Sequence, residues 1–459
     1  MILKNCKIFY KGILRQGNIL INNGIIQTLE FGSTNDNLDN LVGLNSDKKI
    51  LDVQNRVVLP GIIDIHAHLR DLNQKDKETF LTGTHAAAFS GITTVFNMPN
   101  TQPAAITAKS VENWMKEAEG KIYVNVAFIS GVPRNIDEIE LQKILDLAVI
   151  GFKIYPHEPL SGINWNKKEN FTQLLEYSSK YNFKIFIHPH MKLQDNQNLK
   201  KQADTNSLLK KHNKLNPCSL EIQFVEYALN LYTEFINNKN GNLITYPQVH
   251  FCHISCKGSY KLIQSTLNSY SKAKITYEIT PHHLLLSNDL ELDNPLFGKV
   301  MPPLRNKEDM KFLYSKIQQE QVMLIGTDHA PHTLEEKMRS YLEAPSGFPG
   351  FETYPLVILN EVCNYKLALS NFVKIASENP CEIFNLKKRG YIREGYHADL
   401  IIVEKVNAYP INPNSFRSKA KFSPFKNHST CIKIWKVLLS GIEVNNETVV
   451  PHGKIIKTT

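Results

Sequence analysis

The feature that most constrains this chain is a rhythm in its middle. Eight short apolar runs, rich in Val, Ile, Phe and Tyr, alternate with longer stretches of helical pattern. They fall at 61–65, 92–97, 123–128, 149–155, 184–188, 249–253, 275–279 and 322–327. Most neighbours lie roughly thirty residues apart, as expected when ~250 residues are shared among eight βα units. Strands alternating with helices imply a parallel sheet, and eight such units favour a closed barrel over an open one. The rhythm therefore predicts an α/β fold whose body, residues 56–384, is a (β/α)8 TIM-like barrel. Spacing is less regular across residues 191–216, a Lys/Asn/Gln-rich insertion that reads as a mobile loop.

The two ends have a different texture. Near the N-terminus, Asn18-Ile19-Leu20-Ile21 and Ile25-Ile26-Gln27-Thr28-Leu29 flank Asn23-Gly24, the signature of a tight hairpin. Residues 33–48, rich in Asn, Asp and Ser, read as a loop. Short strand-like runs return at 398–403, 434–439 and 441–444. The two ends, 1–55 and 385–459, are expected to build one small β domain with the barrel inserted between them.

Composition narrows the function classes. No apolar run approaches the ~20 residues of a membrane span, and the N-terminus lacks a signal-peptide pattern. Seven scattered cysteines suit a reducing compartment. A soluble, cytoplasmic protein is expected. Cys252 and Cys256 bracket His253, but with no second pair they read as core thiols. The net charge of +9 is mild for 459 residues and is not gathered into a basic block. It predicts a solvated surface, with neither nucleic acid nor membrane as partner.

Chemistry gathers where the apolar runs end. The first run leads into Asp64-Ile65-His66-Ala67-His68-Leu69-Arg70. Residues i and i+2 of a strand share a side, so His66 and His68 can grip one metal ion. Arg70 can hold an anion beside it. The fourth run carries Lys153, the fifth ends at His188, the sixth at His253 and the eighth at Asp328. In a barrel these ends meet at one mouth. Packing alone does not account for a polar, metal-competent residue at the end of nearly every strand. His250, three positions before His253, points away from the mouth. His190, His282, His283 and His329 are expected to support the site without ligating.

These residues resemble the amidohydrolase superfamily and, within it, the dihydroorotase family. The resemblance runs over about residues 56–400 and rests on several stretches in order. They are residues 60–70, Asn97-Met98-Pro99-Asn100-Thr101, Pro281-His282-His283, Pro302-Pro303-Leu304-Arg305, residues 328–337 and residues 347–353. It implies two Zn2+ ions: His66, His68 and Asp328 on one, His188 and His253 on the other. Lys153, as a carbamate, would bridge them, giving one anionic oxygen to each. It further implies reversible cyclisation of carbamoyl aspartate to dihydroorotate in pyrimidine biosynthesis, by a zinc-activated hydroxide with Asp328 as general acid/base. Arg70, Asn100 and His332 would grip a ring carboxylate, and Ser346 and Gly347 would offer backbone contacts. A homodimer is expected. Met301 stands where many relatives have Asn, which puts one ring contact in doubt. The alternatives are another cyclic amidohydrolase (a hydantoinase/dihydropyrimidinase or an allantoinase) and a metal-free scaffold relative. Hydantoinases usually lack the arginine, and scaffold relatives lose ligand histidines.

Overall fold

The computed structural model describes residues 1–32, 49–191, 208–239 and 243–457. Eight parallel strands form a closed barrel: Ile62–Ala67, Ile92–Asn97, Asn125–Phe128, Gly151–Ile154, Lys184–Ile187, Gln248–Phe251, Lys274–Ile279 and Leu324–Ile325. Each of the eight apolar runs supplies one. The third strand passes into Ser130–Gly131, which pairs with the fourth. The eighth closes on the first through the bridge between Ala67 and His329. Asp64 secures that seam, accepting from Thr327 N (3.0 Å) and Thr327 Oγ1 (2.6 Å).

Apolar side chains fill both layers. Phe96, Phe186 and Leu324 come from different strands yet cluster with Cys252 and Phe384, so they pack across the barrel's interior. A larger core lies between strands and helices, with Phe80, Trp114 and Phe128 packed ring against ring. Local chemistry starts the helices. Thr79 and Thr107 close capping boxes on Phe80–Phe89 and Ala108–Ala118, satisfying N–H groups that the first turn leaves free.

The two chain ends share one eight-stranded sheet. Ile13–Asn22 and Ile25–Phe31 form the hairpin, turning through Asn23 (φ +50°) and Gly24 (φ +77°) as a two-residue primed turn requires. Leu400–Pro410 and Ser429–Leu439 complete the sheet from the other end. One boundary differs from the sequence reading. The barrel body is expected from residue 56, but Val57–Pro60 belongs to the terminal sheet, with Leu400 opposite Pro60 and Val403 opposite Val57. Gly61 breaks the run, and Ile62 starts the barrel. An unbroken apolar stretch cannot show which of two cores each half enters.

A second correction falls in residues 191–216, read as a mobile loop. Its described part holds the helix Leu208–Leu215, with Leu208, Leu209 and His212 buried. His212 is fastened to Val300 O and Tyr341 Oη, both at 2.8 Å. The rest of that stretch, and the loop expected at 33–48, lie outside the described residues. Among the described residues no helix is long and apolar enough to cross a membrane.

Candidate metal and substrate site

The barrel mouth opens into a cleft of 870 Å³. Its lining includes His66, His68, Arg70, Asn100, His188, His253, Asp328, His332, Ser346 and Gly347. Every residue expected at the site from sequence reaches this cleft except Lys153, which lies in its floor, 1% exposed.

One donor group comes from the first and eighth strands. Ligand atoms of His66, His68 and Asp328 lie within 4.8 Å of one another, and all three residues are buried. His68 donates from Nδ1 to Asn100 Oδ1 (2.6 Å). Burial keeps its imidazole neutral, down to about 4. Its Nε2 lone pair then faces Asp328 Oδ1 at 3.1 Å. Two electron-rich atoms at that separation need a cation between them. His66 is placed likewise: Nδ1 bonds Glu278 Oε1, and Nε2 faces Asp328 Oδ1 at 3.4 Å. Burial opposes a proton on His66, but Glu278, Cys252 and Asp328 together lift the imidazole to about 10. Burial raises the Asp328 carboxyl, yet the charge of His66, the largest opposing influence, brings it to about 2. The pocket demands positive charge, which a proton or a metal ion can supply.

The second group comes from the fourth, fifth and sixth strands. The rings of His188 and His253 lie 4.5 Å apart, and those of His253 and His66 5.2 Å apart. His188 Nε2 and His253 Nδ1 are buried with no hydrogen-bond partner. Burial, then neighbouring cations that include Lys153, push both imidazoles well below their usual range. Neutral imidazoles with orphaned ring nitrogens are what a metal ion needs. Lys153 Nζ donates to Cys252 Sγ (2.7 Å), and among the described residues no carboxylate pairs with it. The donor set fits a metal centre.

The backbone is strained at these residues. His253 (φ +36°), Asp328 (φ +50°) and Arg70 (φ +57°) adopt left-handed conformations that side chains disfavour. Each costs ~1–3 kcal/mol and persists where surrounding structure overrides it, commonly at functional sites.

The cleft wall carries the anion-binding groups. Arg70 is 6% exposed. Its Nε donates to Pro331 O (3.2 Å), and its Nη2 lies 3.2 Å from His332 Nε2. His332 donates from Nε2 to Ser346 O (3.1 Å) and accepts at Nδ1 from Lys77 Nζ (3.2 Å). Lys77 is held by Glu336 at 2.9 Å. Arg70 and His332 line the cleft side by side, where the guanidinium can meet an anion. Met301 lines the same cleft.

Several neighbours went unnoticed in the sequence. Glu278, fully buried in the seventh strand, joins His66, His250 Nε2 (3.2 Å) and His253 N (3.2 Å). Its signal was a lone carboxylate inside an apolar strand, which must have a partner if charged. Cys252, read as a core thiol, forms with His66 and Glu278 a further group of metal-competent atoms beneath the mouth. His157 and Tyr155 also line the cleft. His250, His283 and His329 keep supporting positions: His283 bonds Thr280 and Pro302, and His329 stacks on Phe351 at 3.8 Å.

The model of the amidohydrolase family matches residues 57–428. The chain is 32% identical to a dihydroorotase of Methanosphaera stadtmanae over 431 residues, 93% of this chain and 92% of that one. It is 33% identical to a dihydroorotase of Methanosarcina acetivorans over 434 residues, 92% of this chain and 87% of that one. Among solved structures it resembles L-hydantoinase (dihydropyrimidinase) from Arthrobacter aurescens, with a TM-score of 0.84 at 22% identity, covering 99% of this chain and 97% of that one. A dihydropyrimidinase from Brevibacillus agri gives a TM-score of 0.85 at 20% identity, covering 99% and 98%. At such identities the structural likeness speaks for the fold alone.

Proposed function

The chain belongs to the amidohydrolase family, and on that premise we propose that it is a dihydroorotase, closing carbamoyl aspartate reversibly to dihydroorotate. The observation that carries this reading is Arg70. Its buried guanidinium lines the cleft whose floor holds the metal donors, beside His332. A planar fork in a dry pocket selects a carboxylate, and dihydroorotate carries one where hydantoin and allantoin do not. Relatives named dihydroorotase at 32% and 33% identity support the same choice.

We assign two zinc ions to the floor. His66, His68 and Asp328 would hold one, and His188 and His253 the other. Lys153 would bridge them after its neutral amine adds carbon dioxide and loses a proton. An ammonium cannot ligate a cation, whereas a carbamate offers two anionic oxygens. Bound there, the ions polarise a carbonyl and lower the pKa of a water. The remaining chemistry belongs to the protein. For ring opening, Asp328 takes a proton from the attacking water and passes it to the ring nitrogen as the C–N bond breaks. For ring closure it takes the proton of the ureido nitrogen and returns it to the departing oxygen. Asn100 holds the His68 ring. Arg70 and His332 hold the carboxylate away from the reacting bond, while Ser346 and Gly347 offer backbone groups to the ring. The substrate is a small molecule, and we expect a cytoplasmic homodimer.

Arg70→Ala tests the reading. A charge-assisted contact contributes ~1.5–3 kcal/mol, so kcat/KM for dihydroorotate should fall up to about a hundredfold. Metal content should not change. Turnover of dihydrouracil, the same ring without the carboxylate, should be low in the wild type and little altered in the variant. Full dihydroorotate turnover by Arg70→Ala would reject the carboxylate anchor and favour the hydantoinase alternative.

A further inference from the structure

One wall of the cleft is built by residues 342–347, part of a stretch from Tyr341 with no helix or strand. Two buried lysines hold it. Lys337, fully buried, spends its three N–H groups on three carbonyls: Lys299 O (3.3 Å), Pro345 O (2.9 Å) and Gly347 O (3.0 Å). Lys299, 7% exposed, donates from Nζ to Tyr341 O (2.7 Å) and to Ala344 O. The segment answers with Gly347 N, which donates to Lys299 O (2.9 Å). Among the described residues no carboxylate forms an ion pair with either lysine.

Burying two ammonium groups without counter-ions is costly. Burial pushes Lys299 down to about 8 and Lys337 to about 7. A helix or strand would satisfy the same carbonyls without that penalty. What the lysines supply is direction. A peptide unit is planar and trans, so its carbonyl and the next N–H point opposite ways. Pro345 O is turned onto Lys337, so the Ser346 N–H is turned away from it. Ser346 lines the cleft, and its carbonyl is held by His332 Nε2. Gly347 (φ +126°) continues the wall so closely that a Cβ there would sit 2.7 Å from Ala330 O.

We propose that Lys299 and Lys337 are positioning residues for the substrate: a clamp on residues 341–347 that aims the Ser346 N–H at the ring. The identity of that ring rests on the dihydroorotase reading, while the clamp does not.

The test uses Lys337→Met and Lys299→Met in the metal-loaded full chain, with three readouts. Amide hydrogen exchange across residues 338–348 should rise sharply in either variant while the barrel strands stay protected. KM for dihydroorotate should rise about tenfold with kcat within about twofold, the mark of lost ground-state binding. Metal content should equal that of the wild type. Unchanged exchange in the segment overturns the clamp whatever the substrate is. Raised exchange with unchanged KM, or a fall in kcat alone, overturns the positioning role. Lys299, at the cleft edge, gives the answer if Lys337→Met does not fold. A wild type inactive on dihydroorotate whose variants still lose protection would reject the substrate reading and leave the clamp standing.

Discussion

The floor and the wall of the cleft are built on opposite plans. The floor takes His66, His68, Lys153, His188, His253 and Asp328 from the strands or their immediate ends, and two of its buried imidazole nitrogens have no partner. The wall takes Arg70, Asn100, His332, Ser346 and Gly347 from loops, where Arg70 and His332 are tied to backbone carbonyls and to each other. Rigid strands suit ligands that must meet a cation within tenths of an ångström. Loops suit groups that choose among ring substituents. On the proposed reading the floor carries the metal chemistry and the wall selects the substrate. Floor changes should abolish turnover of every substrate, and wall changes should discriminate among them.

The largest effect is expected at Lys153. Lys153→Ala removes the proposed bridge, and activity should fall about a thousandfold or more. Added bicarbonate or a short carboxylic acid should restore part of it by supplying oxygens. A fully active Lys153→Ala would break the floor plan, as would mass evidence of an unmodified amine in active enzyme.

Glu278 sharpens the boundary between ligand and support. A carboxylate that orients a ligating histidine typically accounts for ~10–100-fold in metal affinity. Glu278→Gln should weaken metal binding by about that factor, read by competition with a chromophoric chelator. Activity should recover at high added zinc. Unaltered affinity would show that the contact with His66 only fills space.

A smaller effect belongs to the wall. His332→Asn loses the link between Arg70, Lys77 and Ser346, and kcat/KM for dihydroorotate should drop about tenfold, one hydrogen bond's worth. Metal content should stay at the wild-type level. Loss of metal in this variant would erase the distinction between floor and wall.

The floor was the legible part. Strand ends are marked by apolar runs, and His, Lys and Asp stand out against Val and Ile, so the six proposed donor positions could be picked out residue by residue. Contacts between distant strands were not legible. Glu278 meets His66 across 212 positions. No local pattern announces such a contact, although a carboxylate inside an apolar strand signals that a partner must exist. The terminal sheet was visible as texture, but its capture of Val57–Pro60 was not, because both neighbouring cores want the same apolar residues. The helix Leu208–Leu215 was hidden by its lysines and asparagine, although Leu208, His212 and Leu215 recur at helical spacing. The lysine clamp was invisible for a different reason. A lysine bound to carbonyls has no sequence partner to look for.

The central claim is that a hydrolytic metal floor is combined with a carboxylate-selecting wall. The most direct measurement is the kcat/KM of the purified, zinc-loaded wild type on dihydroorotate and carbamoyl aspartate beside hydantoin and allantoin. The account predicts that the two carboxylate-bearing substrates, interconverted in both directions, exceed the uncharged rings by about a hundredfold or more. Equal or higher values on hydantoin or allantoin would contradict it.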